Sequence, residues 1–389
     1  MAYNANLERQ GSLYLQTELS LTEKAVRLAW CVGRRRPTGG AVMKGTTFLA
    51  ATCALTVVLA VTSGALAIDF GPEQIIQAGG SDIVVQRYAT PMFEDWNNDG
   101  LKDLIIGEGT AAIGKVRIYL NGGSAGAPVF NTFFYAQAGG SDLEVTSLGC
   151  LPACPRIADW DNDGRKDLIV GLNDGRVQVY LNVNTDAAPS FDAGSLIQVG
   201  PAGSKVDLDV GSRAVVDLVD WNNDSLMDLV IGDMGSRFRI YLNEGTPGSP
   251  DFLGYSFAQD GGGDLFVPGG RSAPSLIDLD GDGKKDLLSG NTYGELYFYS
   301  NVGTDAAPSF LGWEYATSEG TVIDIDLPWD DRVRSRPVVL DWNDDGLLDV
   351  LVGAGDGLDG KVFLYQGVPE PTTMALLAAS GVALLRRRR

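Results

Sequence analysis

The chain has 389 residues, with 50 Asp/Glu against 30 Lys/Arg and a formal net charge of −20. That balance excludes charge-driven binding of nucleic acid or anionic lipid. There is no His at all, which excludes Ser-His-Asp and Cys-His catalysis and His-ligated zinc.

In chain order, the first predicted element is a leader over residues 1–67. Arg34, Arg35, Arg36 and Lys44 precede an apolar run from Phe48 to about Val61, which ends at the small-residue pattern Ala65-Leu-Ala67. This predicts a secretory signal peptide cleaved after Ala67, too short to be a comfortable membrane span. Met43 directly precedes Lys44, so the expected start is Met43 and residues 1–42 are read as an extension ahead of it.

Residues 68–367 repeat one nine-residue phrase five times. The copies run Asp95–Asp103, Asp159–Asp167, Asp220–Asp228, Asp278–Asp286 and Asp341–Asp349, with first residues 64, 61, 58 and 63 positions apart. Such a period marks a tandem array. Before each phrase stands a short apolar segment, as in Pro155-Arg-Ile-Ala. After it comes a buried-looking run ending in Gly, as in Leu168-Ile-Val-Gly171. An alternating segment follows, with Val116, Ile118 and Leu120 on one face; Val177, Val179 and Leu181, and Phe238, Ile240 and Leu242, correspond. Period-two alternation between Gly, Asp and Asn turns predicts strands. Four units then run from an Asn through a turn and a Pro to a Phe: Asn121 to Phe130, Asn182 to Phe191, Asn243 to Phe252 and Asn301 to Phe310. The predicted fold is all-β, a propeller of five four-stranded antiparallel blades.

The fifth unit stops at Lys361–Gln366 without its fourth strand, while Ile75 to Asp82 matches the sequence after Phe130, where Ala138-Gly-Gly-Ser-Asp142 recurs. Residues 68–77 are therefore expected to complete the last blade and close the ring, pairing otherwise exposed edges.

The phrase carries oxygen side chains at positions 1, 3, 5 and 9 and usually a Gly at 6. This pattern suits a hard cation such as calcium, with the position-7 carbonyl as a further ligand. The predicted sets are Asp95, Asn97, Asp99, Leu101 and Asp103; Asp159, Asp161, Asp163, Arg165 and Asp167; Asp220, Asn222, Asp224, Leu226 and Asp228; Asp278, Asp280, Asp282, Lys284 and Asp286; and Asp341, Asn343, Asp345, Leu347 and Asp349. Up to five Ca2+ ions are expected, at affinities of roughly 10⁻⁴–10⁻³ M. The fourth loop, all-carboxylate, should bind most tightly, and the second has the same ligand charge. The third, with Ser225 in place of Gly, should bind least. The competing reading is a set of Asp/Asn-Gly hairpin turns that need no metal. The units resemble FG-GAP/VCBS repeats, the blades of calcium-binding β-propellers such as the integrin α-subunit head. Propellers of that kind commonly have seven blades, and five are counted here.

Trp96, Trp160, Trp221 and Trp342 follow the first ligand and are expected to pack on the neighbouring blade rather than to stack sugars, because Leu279 substitutes in the fourth copy. Cys150 and Cys154 form a small-loop pair that export would allow to close as a disulfide.

The tail, 368–389, reads Val368-Pro-Glu-Pro371, an apolar stretch from Thr372 to Leu385 and four Arg. It resembles the PEP-CTERM sorting tail. The resemblance implies processing by an exosortase-type protease, transient membrane anchoring through the tail, and delivery to the surface or extracellular matrix of a bacterium. Residues 1–67 hold seven Lys/Arg and three Asp/Glu, and the tail four Arg and one acid, which leaves the body 19 basic and 46 acidic residues, a net of −27.

With loops after first and third strands on one face, the opposite face carries the connectors 78–88, 138–153, 199–212, 260–271 and 317–334, expected to vary freely and to hold the binding surface, with Trp329-Asp-Asp331 at its edge. The expected function is a non-catalytic binding or adhesion module for exopolysaccharide or a surface protein. The alternative is a polysaccharide-active glycosidase or lyase, which would need a second pair of carboxylates.

Overall fold

The computed structural model describes residues 68–109, 113–146, 153–327 and 332–369; the predicted leader, Cys150, Trp329 to Asp331 and the tail from Glu370 lie outside them. Every helix or strand among the described residues is a strand. The alternation read from the sequence is visible in burial: along Ile113–Tyr119 buried residues alternate with half-buried ones up to Ile118. The chain forms a β-propeller.

Five antiparallel sheets follow one plan. Their first strands are Thr90–Glu94, Cys154–Ala158, Val215–Val219, Ala273–Ile277 and Arg336–Leu340. The second strands begin on the last residue of each acidic phrase: Asp103–Gly109, Asp167–Gly171, Asp228–Gly232, Asp286–Gly290 and Asp349–Gly355. Third strands follow at Ile113–Tyr119, Val177–Tyr180, Phe238–Tyr241, Leu296–Tyr299 and Asp359–Tyr365. Two-residue fourth strands finish the first four sheets at Phe134–Tyr135, Ser195–Leu196, Ser256–Phe257 and Glu314–Tyr315. In the fifth sheet the fourth strand is Gln74–Ile75, with Gln74 opposite Leu364 and Ile75 opposite Phe363. The fourth strand of this sheet thus precedes the first sheet in sequence, while its other three strands follow the fourth sheet.

The first strands touch their neighbours in a closed circuit, the fifth returning to the first. One glycine per sheet permits this approach. A Cβ on Gly171 would lie 2.3 Å from the Ala214 carbonyl oxygen; on Gly232, 2.3 Å from that of Ser272; on Gly290, 2.1 Å from that of Ser335; and on Gly353, 2.4 Å from that of Ala89. Each carbonyl belongs to the residue just before the next first strand. The core lies between sheets. One apolar cluster joins Ile105, Val116 and Ile118 of the first sheet to Leu168, Val170 and Tyr180 of the second, and its counterparts repeat around the molecule.

The tryptophans pack as expected. Trp96 meets Phe191 edge-on at 5.7 Å, Trp160 meets Phe252 at 6.2 Å, and Trp221 meets Phe310 at 6.4 Å, each a Phe of the following unit. Trp342 stacks on Phe93 at 4.3 Å and meets Phe130 at 5.8 Å. In the fourth copy Leu279 joins the cluster that contains Phe70.

The connectors differ from expectation. Instead of free loops, four form small hairpins: Gln77–Ala78 with Ser81–Asp82, Gln137–Ala138 with Ser141–Asp142, Gln198–Val199 with Val206–Asp207, and Thr317–Ser318 with Thr321–Val322. In the remaining one Gln259 bridges Asp264. The described residues therefore form nine sheets, not the five that counting phrases predicts. In the first two hairpins the local cause is a Gly-Gly pair: Gly79 and Gly80 take φ of 59° and 80°, both left-handed as a tight hairpin turn requires, and in the last Glu319 and Gly320 take φ of 51° and 76°.

Candidate metal centre

Each acidic phrase is the turn between a first and a second strand. Its first carboxylate folds the turn by accepting amide N–H groups from within it. Asp159 receives Asp163 and Gly164, both at 3.0 Å; Asp95 receives Asp99 at 3.2 Å and Gly100 at 2.9 Å. Asp220, Asp278 and Asp341 do the same for Ser225 (2.8 Å), Gly283 (2.9 Å) and Gly346 (3.0 Å). The fifth position accepts the amide of the seventh: Leu101 on Asp99, Arg165 on Asp163, Leu226 on Asp224, Lys284 on Asp282 and Leu347 on Asp345, at 2.8–3.0 Å. Position 6 is left-handed throughout, at φ 85–89° in Gly100, Gly164, Gly283 and Gly346 and 70° in Ser225.

The ninth position anchors the loop, a role that reading it as a ligand alone misses. Asp103, Asp167, Asp228, Asp286 and Asp349 are at most 1% exposed. One oxygen accepts the amide of position 2 (Trp96, Trp160, Trp221, Leu279, Trp342) at 2.8–3.1 Å. The other accepts the amide of Asn121, Asn182, Asn243, Asn301 or Gly367 at 2.6–2.9 Å, tying the loop to the chain leaving the third strand. The sequence signal was the Asn recurring just after four of the five third strands, with Gly367 in its place in the fifth. Burial raises all five carboxyls above the usual range, Asp286 to about 6, against the pull of the donated N–H groups.

Two loops bring three carboxylates together. Asp159, Asp161 and Asp167 each offer an oxygen within 4.8 Å of the others, as do Asp278, Asp280 and Asp286. In each loop one oxygen, Asp161 Oδ1 or Asp278 Oδ1, is buried without a hydrogen-bond partner. A buried anionic oxygen is costly unless something positive meets it, and an all-oxygen donor set fits a hard divalent cation. In the other loops Asn97, Asn222 and Asn343 stand at position 3, each donating Nδ2 to position 5 at 2.9 Å. Position 5 lies outside these two three-carboxylate groups. Asp163 pairs with the Arg165 side chain and Asp282 with Lys284 Nζ at 2.7 Å, so the seventh residues compensate those charges.

The loops are linked around the ring by the eighth residue. Lys166 Nζ donates to the Asp95 carbonyl, Lys102 Nζ to that of Asp341 at 3.4 Å, and Lys285 Nζ to Asn223 Oδ1 at 2.6 Å. The Asn-turn-Pro loops share this face: the Lys166 amide donates to Asp186 at 2.8 Å and the Lys285 amide to Asp305 at 2.9 Å. Cys154 is buried at the start of the second sheet.

Comparison with known proteins gives consistent results. A model described as FG-GAP-like repeat matches residues 220–289, and one described as PEP-CTERM protein-sorting motif matches residues 367–389. The chain thus carries both features, and the sorting motif marks it for export and surface association. Integrin alpha-4 of Xenopus laevis is 28% identical over 180 residues, 43% of this chain but only 16% of that protein. Among solved structures, the Chaetomium thermophilum Polycomb Repressive Complex 2 bound to GSK126 contains a chain 13% identical, aligned over 73% of this chain and 51% of its own at a TM-score of 0.33. A putative oxidoreductase (glucose dehydrogenase) from Thermus thermophilus is 16% identical over 76% of this chain and 99% of its own at a TM-score of 0.35. Scores this low bear on neither blade number nor function.

Proposed function

We propose that this FG-GAP-repeat chain with a PEP-CTERM tail is a five-bladed, calcium-loaded propeller, a non-catalytic binding or adhesion module of the bacterial surface and its polysaccharide matrix. The four small sheets are then rim elements rather than blades, three of them hairpins and the fourth a hairpin to which Asp69–Phe70 adds in parallel beside Thr317–Ser318. The observation that carries the metal reading is the orphaned oxygen at Asp161 and its counterpart at Asp278, each inside a three-carboxylate cluster. In the second loop Asp159, Asp161 and Asp167 would hold the ion, with the Arg165 carbonyl; in the fourth, Asp278, Asp280 and Asp286, with the Lys284 carbonyl. The bound charge would relieve the repulsion of a body at net −27. The first, third and fifth loops follow at lower affinity.

Surface delivery supports the binding role. Gly367, the first residue of the sorting motif, still donates its amide to Asp349 at 2.6 Å. Cleavage by an exosortase-type protease near Pro369 would therefore fall just outside the fold and release it intact. The conspicuous carboxylates are committed to loop folding and metal, which favours a binding module over a glycosidase or lyase.

Thermal melting tests this. A site filled at ten times its Kd adds about 1.4 kcal/mol, so two filled sites should raise Tm by several degrees in calcium over chelator, with less effect from magnesium. Identical melting in calcium and chelator overturns the metal assignment, and turnover of any polysaccharide overturns the non-catalytic one.

A further inference from the structure

Arginines gather at one place in this acidic protein. Arg213, Arg271 and Arg334 each stand two residues before a first strand, and Arg87 stands three before. All four take left-handed backbone, at φ 60–67°, a conformation that side-chain-bearing residues resist. Arg336 opens the fifth first strand and is 6% exposed. Among the described residues, Arg213, Arg271, Arg334 and Arg336 line one pocket with Ser272 and a single carboxylate, Asp233. The pocket opens where first strands begin, the end away from the acidic loops.

The unmatched donors on which the site turns are those of Arg334. Asp233 is already engaged, one oxygen by Arg239 and the other by the Gly235 amide at 2.5 Å. Arg334 Nε and Nη1 are buried with no hydrogen-bond partner, while the guanidinium lies 4.1 Å from the Tyr88 ring centre. Arg336 Nη1 donates to the Arg334 carbonyl at 3.3 Å. Burial, together with neighbouring arginines, lowers Arg334 and Arg336 to about 10. Buried guanidinium donors without acceptors call for an anion.

We propose that this pocket binds a single carboxylate through the guanidinium groups of Arg334 and Arg336. Its volume, about 20 Å³, is little more than one water-sized group needs, so one carboxylate oxygen can enter while a sugar ring stays outside. The carboxylate comes either from a small free acid or from a uronate of an acidic glycan whose ring stays outside. Forked guanidinium donors suit carboxylate and tetrahedral oxyanions alike, and the small volume favours the less bulky carboxylate over sulfate.

Calorimetric titration of the intact propeller at fixed calcium and ionic strength tests this, with acetate, sulfate, trigalacturonate and the neutral methyl ester of trigalacturonate as probes. Saturable binding of acetate or trigalacturonate, absent for the ester and weaker for sulfate, is expected. Trigalacturonate binding at least about tenfold tighter than acetate assigns the glycan source, and equal affinity the free acid. R334Q, at a half-buried position, and R336M should each weaken binding by about tenfold or more. Ester binding as tight as acid, sulfate preferred over acetate, no saturable binding, or unchanged affinity in a natively melting R334Q overturns the proposal. The calcium melting experiment has a separate readout, so either idea can fail alone.

Discussion

The carboxylate of Asp103 receives two buried amides, from Trp96 at 2.9 Å and Asn121 at 2.8 Å. Removing it strands both, and each unsatisfied buried donor costs about 1–3 kcal/mol. Asp103→Ala should therefore destabilise by about 2–4 kcal/mol in calcium and chelator alike. Asp161 differs: its buried Oδ1 has no protein donor to lose. Asp161→Asn should leave stability in chelator unchanged within about 0.5 kcal/mol and reduce only the calcium-dependent gain. Urea unfolding of both variants under both conditions checks the pair; an Asp161→Asn loss equal in calcium and chelator would refute the ligand role. This contrast also marks what the sequence could convey about the site. Spacing revealed which residues belong to each loop. It could not separate an oxygen that folds the loop from one left over for an ion, because that depends on amides such as Asn121 brought back by the third strand. Position 5 escaped for a similar reason: the partners of Asp163 and Asp282 are side chains two residues on, at positions read only as carbonyl donors.

Strand boundaries were legible because every second strand starts on the last Asp of a phrase and carries a Gly five residues in, where the neighbouring sheet arrives. A Cβ at Gly290 would stand 2.1 Å from the Ser335 carbonyl oxygen and 2.6 Å from its carbonyl carbon, so backbone must move. Gly290→Ala should cost about 1–3 kcal/mol through overpacking. Gly254→Ala, where nothing lies within 4 Å, should change stability by less than about 0.5 kcal/mol. Comparable urea midpoints for the two variants would contradict the close inter-sheet approach. The small hairpins were harder to read. Their strands are two residues long, too short for periodicity to register, and only two of the connectors carry the Gly-Gly-Ser-Asp turn. The arginine pocket was hidden differently: Arg213, Arg271 and Arg334 share a structural position but lie scattered through a sequence whose net charge is negative.

Closure of the ring depends on a segment far in sequence from its partners. Gln74 and Ile75 pair with the last strand, Glu73 accepts the Tyr365 hydroxyl at 2.7 Å, and the Ile68 carbonyl accepts the Thr317 amide at 2.8 Å. Ile68, Phe70 and Ile76 are buried to within 7% exposure. Burial of each such side chain contributes about 1.5–3 kcal/mol, so together they approach the whole stability of an ordinary domain, about 5–15 kcal/mol. Deleting residues 68–77 should also leave the Val362–Leu364 part of the last strand's edge unpaired, Asp359 and Gly360 keeping Gln86 and Val85, and so expose a template for pairing between chains. The expected outcome is loss of cooperative melting and concentration-dependent association by light scattering, both reversed in part by a peptide of residues 68–77 added in trans. A truncated chain that stays monomeric and melts within about 5 °C of the parent would mean that the remaining sheets hold the ring without this strand, and that its place ahead of the first sheet is incidental to stability.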